Sequence, residues 1–294
     1  MGNESIEASF LSVFALISFF IFLITSKYSH KFKSGILLDE DFVKPQAFHE
    51  HPITRSGGIS IMFSLFIFFG IYYLLFSEIL YDYIFLSSFI FFVGFLDDLK
   101  IKITPANRLI VMILMLFSFT YIFQIRILHV DLIFLELITE NQFLSSIFVL
   151  LCFLFIVNGA NLIDGFNGML TIHLIIINSV LAYINLENSN SEFSFILISQ
   201  IIILLSFLLF NFPTAKIFLG DGGAYLLGSL IALNVIITNN LYPNISSFFF
   251  CTLLFYLFFE VFFSFFRKLY NGKSPFYPDD SHLHMLSFYK ISKV

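Results

Sequence analysis

The sequence predicts an all-α fold, a polytopic membrane helix bundle of about nine spans with its N-terminus outside and its reactive loops cytoplasmic. Three observations predict it. Of 294 residues, 59% are hydrophobic and 12% charged, with a mean hydropathy of +0.93, whereas about a quarter of a soluble domain is charged. The apolar residues fall in runs long enough to cross a bilayer, and the basic residues collect in alternate loops. This composition excludes a water-soluble enzyme and a disordered chain. The net charge of −5 excludes a nucleic-acid binder, which needs a basic excess.

A bilayer core takes roughly 20 helical residues. Runs of that kind lie at about 10–26, 59–77, 83–96, 109–125, 143–158, 168–186, 193–210, 222–238 and 245–266. The third and fifth are short and extend into their flanks. The first is read as a retained span, because MGNESIEASF is acidic where a secretion signal is basic. No fixed-period repeat appears, so residues 1–294 are taken as a single membrane domain. Cys152 and Cys251 lie inside apolar runs and offer neither a disulfide framework nor a metal knuckle. The 45 Phe residues, beside no Trp, read as lipid-facing bulk.

Orientation follows from the loops. Those after spans one, three, five, seven and nine hold all but one of the 15 basic residues, the exception being Arg126. The opposite loops collect Glu78, Asp82, Asp131, Glu136, Glu140, Glu187 and Glu192. Lys and Arg mark the cytoplasmic side, so the odd loops face inward. Outer loops such as ENSNSE and NNLYPN are ordinary polar turns.

The inner loops are different. GFLDDLK puts Asp97 and Asp98 at the end of span three, and NGANLIDGFNGML puts Asn158, Asn161, Asp164 and Asn167 between spans five and six. FNFPTAKIFLGDGGAYLLG carries Asn211, Lys216 and Asp221, and SPFYPDDSHLHM carries Asp279, Asp280, His282 and His284. Singly, each has a plain reading as a solvated helix end, an Asn/Gly turn, a helix cap or a polar tail. Glu260, inside span nine, reads as a boundary residue paired with Arg267 or Lys268. Together they put oxygen ligands suited to Mg²⁺ or Mn²⁺ beside cationic groups suited to a pyrophosphate. Asp221 precedes the N-terminus of span eight, where free N–H groups favour an anion. These are the parts of a metal-assisted phosphoryl-transfer site at a lipid boundary, with a lipid phosphate and a soluble nucleotide as substrates.

In order, these blocks resemble the polyprenyl-phosphate N-acetylhexosamine-1-phosphate transferases, a superfamily that includes the phospho-N-acetylmuramoyl-pentapeptide transferase of peptidoglycan synthesis. HEHPITRSGG resembles the family's H-x-x-P-T-P-R-x-G-G element through His49, Pro52, Arg55, Gly57 and Gly58. GFLDDLK, NLIDGFNG, NFPTAKIFLGDGG and SPFYPDDSHLHM resemble its four later blocks. The resemblance implies that the phosphate of undecaprenyl phosphate attacks the β-phosphorus of a UDP-N-acetylhexosamine, releasing UMP and starting a cell-envelope glycan. It implies Asp221 as the main Mg²⁺ ligand (Mn²⁺ as the alternative), with Asp164 in the metal pocket. Asp97 would hold or deprotonate the lipid phosphate, with Asp98 assisting. Asn161, Asp164 and Asn167 would line the nucleotide pocket and Asn211 would hold the diphosphate. Arg55, Lys216, His282 and His284 would neutralise phosphate charge, and His49 would bind substrate. The bilayer is an implied partner, and a homodimer is left open.

There are departures. Met285 stands where the family has a third tail histidine, and Ile53-Thr54 where Thr-Pro is usual. Family members commonly continue through one or two more spans beyond the tail. The peptidoglycan branch usually carries K-x-G-T-P-T-M-G-G in the first loop, and its absence favours the N-acetylhexosamine branch. A lipid-linked sugar flippase or transporter is the competing class. Transporters keep ionisable groups near the bilayer midplane, whereas these acids crowd one face. A CDP-alcohol phosphotransferase would need an Arg after Asp164-Gly165 that FNGML does not supply. A catalytically dead relative is the remaining alternative.

Overall fold

Long apolar stretches with polar ends leave the backbone one stable option in lipid, the helix, because every N–H and C=O must be satisfied internally. A computed structural model of the chain describes residues 2–31, 37–39, 51–101, 103–274 and 281–291. Its helices are α1 (Gly2–Tyr28), α2 (Gly57–Phe76), α3 (Tyr81–Asp98), α4 (Pro105–Ile122), α5 (Ile133–Glu140) and α6 (Gln142–Ile163). They continue as α7 (Met169–Glu187), α8 (Ser191–Asn211), α9 (Gly220–Leu241), α10 (Ser247–Leu253), α11 (Phe255–Tyr270) and α12 (Leu283–Ile291). Two short strands, β1 (Leu38–Asp39) and β2 (Ile53–Thr54), pair antiparallel. Local caps begin several helices: Thr104 before Pro105 accepts the Asn107 N–H, Asn141 accepts those of Phe143 and Leu144, and Asn190 that of Phe193.

Every expected span corresponds to a helix, but two differ in kind. Among the described residues, seven helices are long and apolar enough to cross a membrane, or eight if α10 and α11 count as one. α3 has the length but carries Asp82, Asp97 and Asp98. The ninth run is a pair of helices bent by 68° at Leu254. No Pro or Gly marks the break in the sequence. The bend sits beside the point where the Leu257 backbone packs against Gly159 of α6, so closely that a Cβ at Gly159 would overlap the Leu257 carbonyl. The amphipathic α5 and the tail helix α12 fall outside the nine expected runs.

α9 is the hub. Of its most apolar window 83% is buried, against 17% for α1 at the periphery. It packs on α3, α6, α2 and α7, while α1 lies against α8 and α2. The bundle has two distinct ends. At one, the Tyr72 hydroxyl donates to Glu192, the Leu128 N–H to Asn240 Oδ1 at 2.8 Å and the Ser247 N–H to Asp131 Oδ2 at 2.7 Å. At the other, the ends of α3, α6 and α8 meet the start of α9. All the candidate site residues among those described lie at this second end.

Candidate active site

A glycine crossing builds the site. Gly94, one turn before Asp97, lies against the start of α9. A Cβ there would fall 2.5 Å from the Asp221 carbonyl oxygen and 2.6 Å from the Gly222 Cα. The close approach brings the acidic end of α3 onto the first turn of α9. Asp98, 3% exposed, accepts the Asp221 N–H at Oδ1 and the Gly222 N–H at Oδ2, both at 2.9 Å. Gly220, at φ +77°, sits over this carboxylate, where a Cβ would fall 2.6 Å from Asp98 Oδ2. The N–H groups expected to attract a phosphate at this helix start are therefore taken by Asp98. Asp98 thus anchors the start of α9.

Asp97 points elsewhere. Arg108 Nη1 lies 2.7 Å from Asp97 Oδ2 and 3.0 Å from Asp221 Oδ2, bridging the two acids, and its guanidinium lies over the Tyr225 ring. Asn161 Nδ2 donates to the other Asp221 oxygen at 3.1 Å. Arg55 grips Asp39 Oδ2 through Nη2 at 2.7 Å and Nε at 3.1 Å, with Nη1 3.6 Å from Asp98 Oδ1. Burial opposes the Arg55 charge, but Asp39, Asp221 and Asp98 outweigh it and raise its pKa. The segment after Arg55 is held by the loop entering α9: Gly57 N–H donates to the Phe218 carbonyl and Gly58 N–H to that of Leu219. At the C-cap of α6, burial and the Asp221 charge hold the Asp164 carboxyl well above the usual range, with Arg55 pulling the other way.

The tail forms a neighbouring cluster. His282 Nδ1 lies 3.0 Å from Glu260 Oε2, and the Leu283 N–H donates to Glu260 Oε1 at 3.0 Å. The sequence expectation for Glu260 was Arg267 or Lys268; the partner the fold supplies is His282. The His282 and His284 rings stack 5.6 Å apart. His284 Nε2 packs on Gly165, directly after Asp164, and its ring contacts Phe166 edge-on. Burial pushes the His284 imidazole down to about 4. Met285, in place of a third histidine, is fully buried.

Three other expected residues stand differently. Asn211, expected on the diphosphate, is buried with both ends of its amide on backbone: Oδ1 accepts the Gly168 N–H at 2.6 Å and Nδ2 donates to the Ile217 carbonyl at 3.0 Å. It joins the loop before α7 to the loop before α9. Asn167 is exposed and donates to the Pro213 carbonyl at 3.1 Å. Lys216 is exposed at the same end. His49, Asp279 and Asp280 lie outside the described residues.

The donor set fits a hard divalent cation in kind: Asp97, Asp221 and Asp164 are all oxygen donors. Arg108 already holds Asp97 and Asp221 as a shared cation would. Among the described residues, no three Asp, Glu, His or Cys side chains converge as a ready-made cage. Arg108 itself was passed over in the sequence as one more loop cation. A signal existed, since a basic residue in the first turn of a helix opposes the helix dipole, and such local conflicts mark functional sites.

The family model described as glycosyl transferase family 4 matches residues 80–239. The chain belongs to glycosyl transferase family 4. That stretch of the family 4 chain contains Asp97, Arg108, Asn161, Asp164 and Asp221, and membership makes the protein a transferase instead of a transporter. A relative from Thermotoga maritima, an undecaprenyl-phosphate alpha-N-acetylglucosaminyl 1-phosphate transferase, is 26% identical over 95% of this chain and 81% of its own length. Phospho-N-acetylmuramoyl-pentapeptide-transferases are also similar. The one from Fervidobacterium nodosum is 28% identical over 72% of this chain and 68% of its own. That from Streptococcus sanguinis is 30% identical over 70% and 66%.

Proposed function

We propose that this family 4 protein transfers a sugar 1-phosphate from a UDP-N-acetylhexosamine of the GlcNAc type to undecaprenyl phosphate, releasing UMP. A phosphate oxygen of the lipid forms a bond to the β-phosphorus while the bond to the bridging oxygen breaks, and UMP leaves with that oxygen. The observation that carries this reading is Arg108 held between Asp97 and Asp221 at the crowded end of the bundle. A similar relative that covers nearly the whole chain supports the substrate pair.

Bound Mg²⁺, held by Asp221 with Asp164 and completed by diphosphate oxygens, would supply charge neutralisation where negative charge moves to the leaving UMP. The chain's own groups do the rest. Asp97, a third exposed at its side chain, takes the lipid phosphate's remaining proton or orients it for attack. Arg108 and Arg55 offer N–H groups to phosphate oxygens in a site whose low dielectric strengthens them. Asn161 fixes the rotation of Asp221, and Asp98 fixes the helix start that carries it. With the basic loops inward, this end faces the cytoplasm, the bundle spans the cytoplasmic membrane and the N-terminus lies outside.

Purified protein given Mg²⁺, undecaprenyl phosphate and radiolabelled UDP-GlcNAc should release UMP and form a lipid-soluble product. UMP release from no member of a UDP-N-acetylhexosamine panel would overturn the proposal. UDP-N-acetylmuramoyl-pentapeptide belongs in the panel because the pentapeptide transferases are also similar, and turnover with it alone would reassign the donor.

A further inference from the structure

The carboxylate of Glu260 belongs to none of the steps above, yet it is one of the most buried charged groups in the protein, with a relative exposure of 0%. It sits on α11, the inner limb of the bent pair, on the face that meets the tail. Three contacts from that face hold one short segment. The Arg267 guanidinium donates to the Ser281 carbonyl. Glu260 Oε1 accepts the Leu283 N–H, and Glu260 Oε2 meets His282 Nδ1, both at 3.0 Å. The Tyr256 hydroxyl, one turn earlier, lies 3.2 Å from His284 Nδ1, and Glu260 Oε1 is 4.0 Å from the same nitrogen. Both imidazoles thus turn their Nδ1 edges to α11 with their planes 8° from parallel. The opposite edge of His284 rests on Gly165, beside the Asp164 loop.

A carboxylate accepts and does not donate, so the Nδ1 position of His282 must carry the hydrogen. That fixes the tautomer and leaves the exchangeable site of the ring at Nε2, as a buried acid does for a neighbouring histidine in hydrolytic triads. We propose that Glu260 is a positioning residue, which orients His282 and confines its proton exchange to Nε2, so that this nitrogen serves the phosphate chemistry of the site. Among the described residues, the titratable groups in contact with Glu260 are His282, His284 and Tyr256. The proposal rests on the transferase reading above for the word "phosphate", but not for the geometry.

The test is a set of four proteins: wild type, Glu260→Gln, His282→Gln and the double variant. Each is assayed for kcat, KM and pH dependence of UMP release, and wild type and Glu260→Gln also by ¹⁵N NMR of labelled histidine. Glu260→Gln should lower kcat by ~10–10²-fold, the range for removing a partner that orients a reacting group, with little change in KM. The same change on the His282→Gln background should have almost no further effect, and the acidic limb of the pH profile should move. Glu260→Asp should restore part of the rate. The His282 ring should report Nδ1–H in wild type and lose it in Glu260→Gln. An equal loss on both backgrounds, unchanged kcat in the single variant, or an Nε2–H tautomer in wild type would each overturn the proposal. Should Glu260→Gln fail to fold, the wild-type tautomer and the pH profile of Glu260→Asp decide it. Absence of UMP release from wild type defeats the transferase reading, while the tautomer spectrum still judges Glu260.

Discussion

Two polar regions of the bundle invite comparison, one at mid-depth and one at the end that carries the acids. At mid-depth, Tyr83 of α3 donates to Asn234 Oδ1 at 2.7 Å, Asn234 Nδ2 to Gln200 Oε1 at 2.7 Å and Asn178 Oδ1 at 3.2 Å, and Asn178 Nδ2 to Gln200 Oε1 at 3.4 Å. The network is neutral and buried, and it ties together α3, α7, α8 and α9. At the other site, among the described residues, Arg55 and Arg108 are the cations that meet Asp97, Asp98, Asp164 and Asp221, and Arg55 also serves Asp39. Buried amides that answer one another hold helices together. Acids gathered this closely raise one another's proton affinity, as Asp221 does for Asp164.

Breaking the acidic side should have the larger effects. Asp221→Asn should lower UMP release by ~10²–10³-fold, as for loss of one contact made mainly in the transition state. It should also abolish the rise in Tm on adding Mg²⁺ while the metal-free Tm holds, and retained turnover would remove Asp221 from the site. Arg108→Gln should cost about 10–10²-fold in rate, the scale of a charge-assisted hydrogen bond. The Mg²⁺ concentration for half-maximal activity should fall, because the guanidinium no longer competes for Asp97 and Asp221; a titration of rate against metal checks it.

Metal and pH sharpen the contrast further. The raised Asp164 carboxyl means the metal-free fold binds more protons than the unfolded chain above the ordinary carboxylate range. Metal-free stability should therefore fall as pH rises through that window. Mg²⁺ needs the deprotonated acid. Its stabilisation, about 2.7 kcal/mol at a hundredfold excess over Kd, should thus be largest on the alkaline side and shrink on acidification. Melting curves with Mg²⁺ and with chelator, at about pH 5 and about pH 8, read the difference. The smallest effect belongs to the neutral network. Asn234→Leu should lower stability by about 1–2 kcal/mol with UMP release nearly unchanged, and no response to Mg²⁺ beyond that of wild type.

Much of this contrast is written in the residue order. Asp97-Asp98, Asp164 and Asp221 close or open apolar runs, so their shared end follows from span counting alone. Which of them touch does not follow, because that depends on the crossing of α3 and α9 at Gly94, a contact between residues more than a hundred positions apart. Asn211 shows the limit of motif reading: an amide beside a phosphate-type loop suggests a ligand, yet Gly168 and Ile217 engage both its ends. The break at Leu254 lacks Pro or Gly, so the ninth run scans as one helix. Glu260 is visible as an acid out of place, but its partner His282 lies 22 positions further along the chain, and no periodicity points to it.

The carboxylate of Asp98 closes the first turn of α9 from another helix. The residue that ends one rod is thereby the pin of the next, and one Arg108 nitrogen joins its neighbour Asp97 to Asp221 across the same crossing. The spacing of Asp97 and Asp221 is therefore a property of how two helices cross, not of either side chain alone.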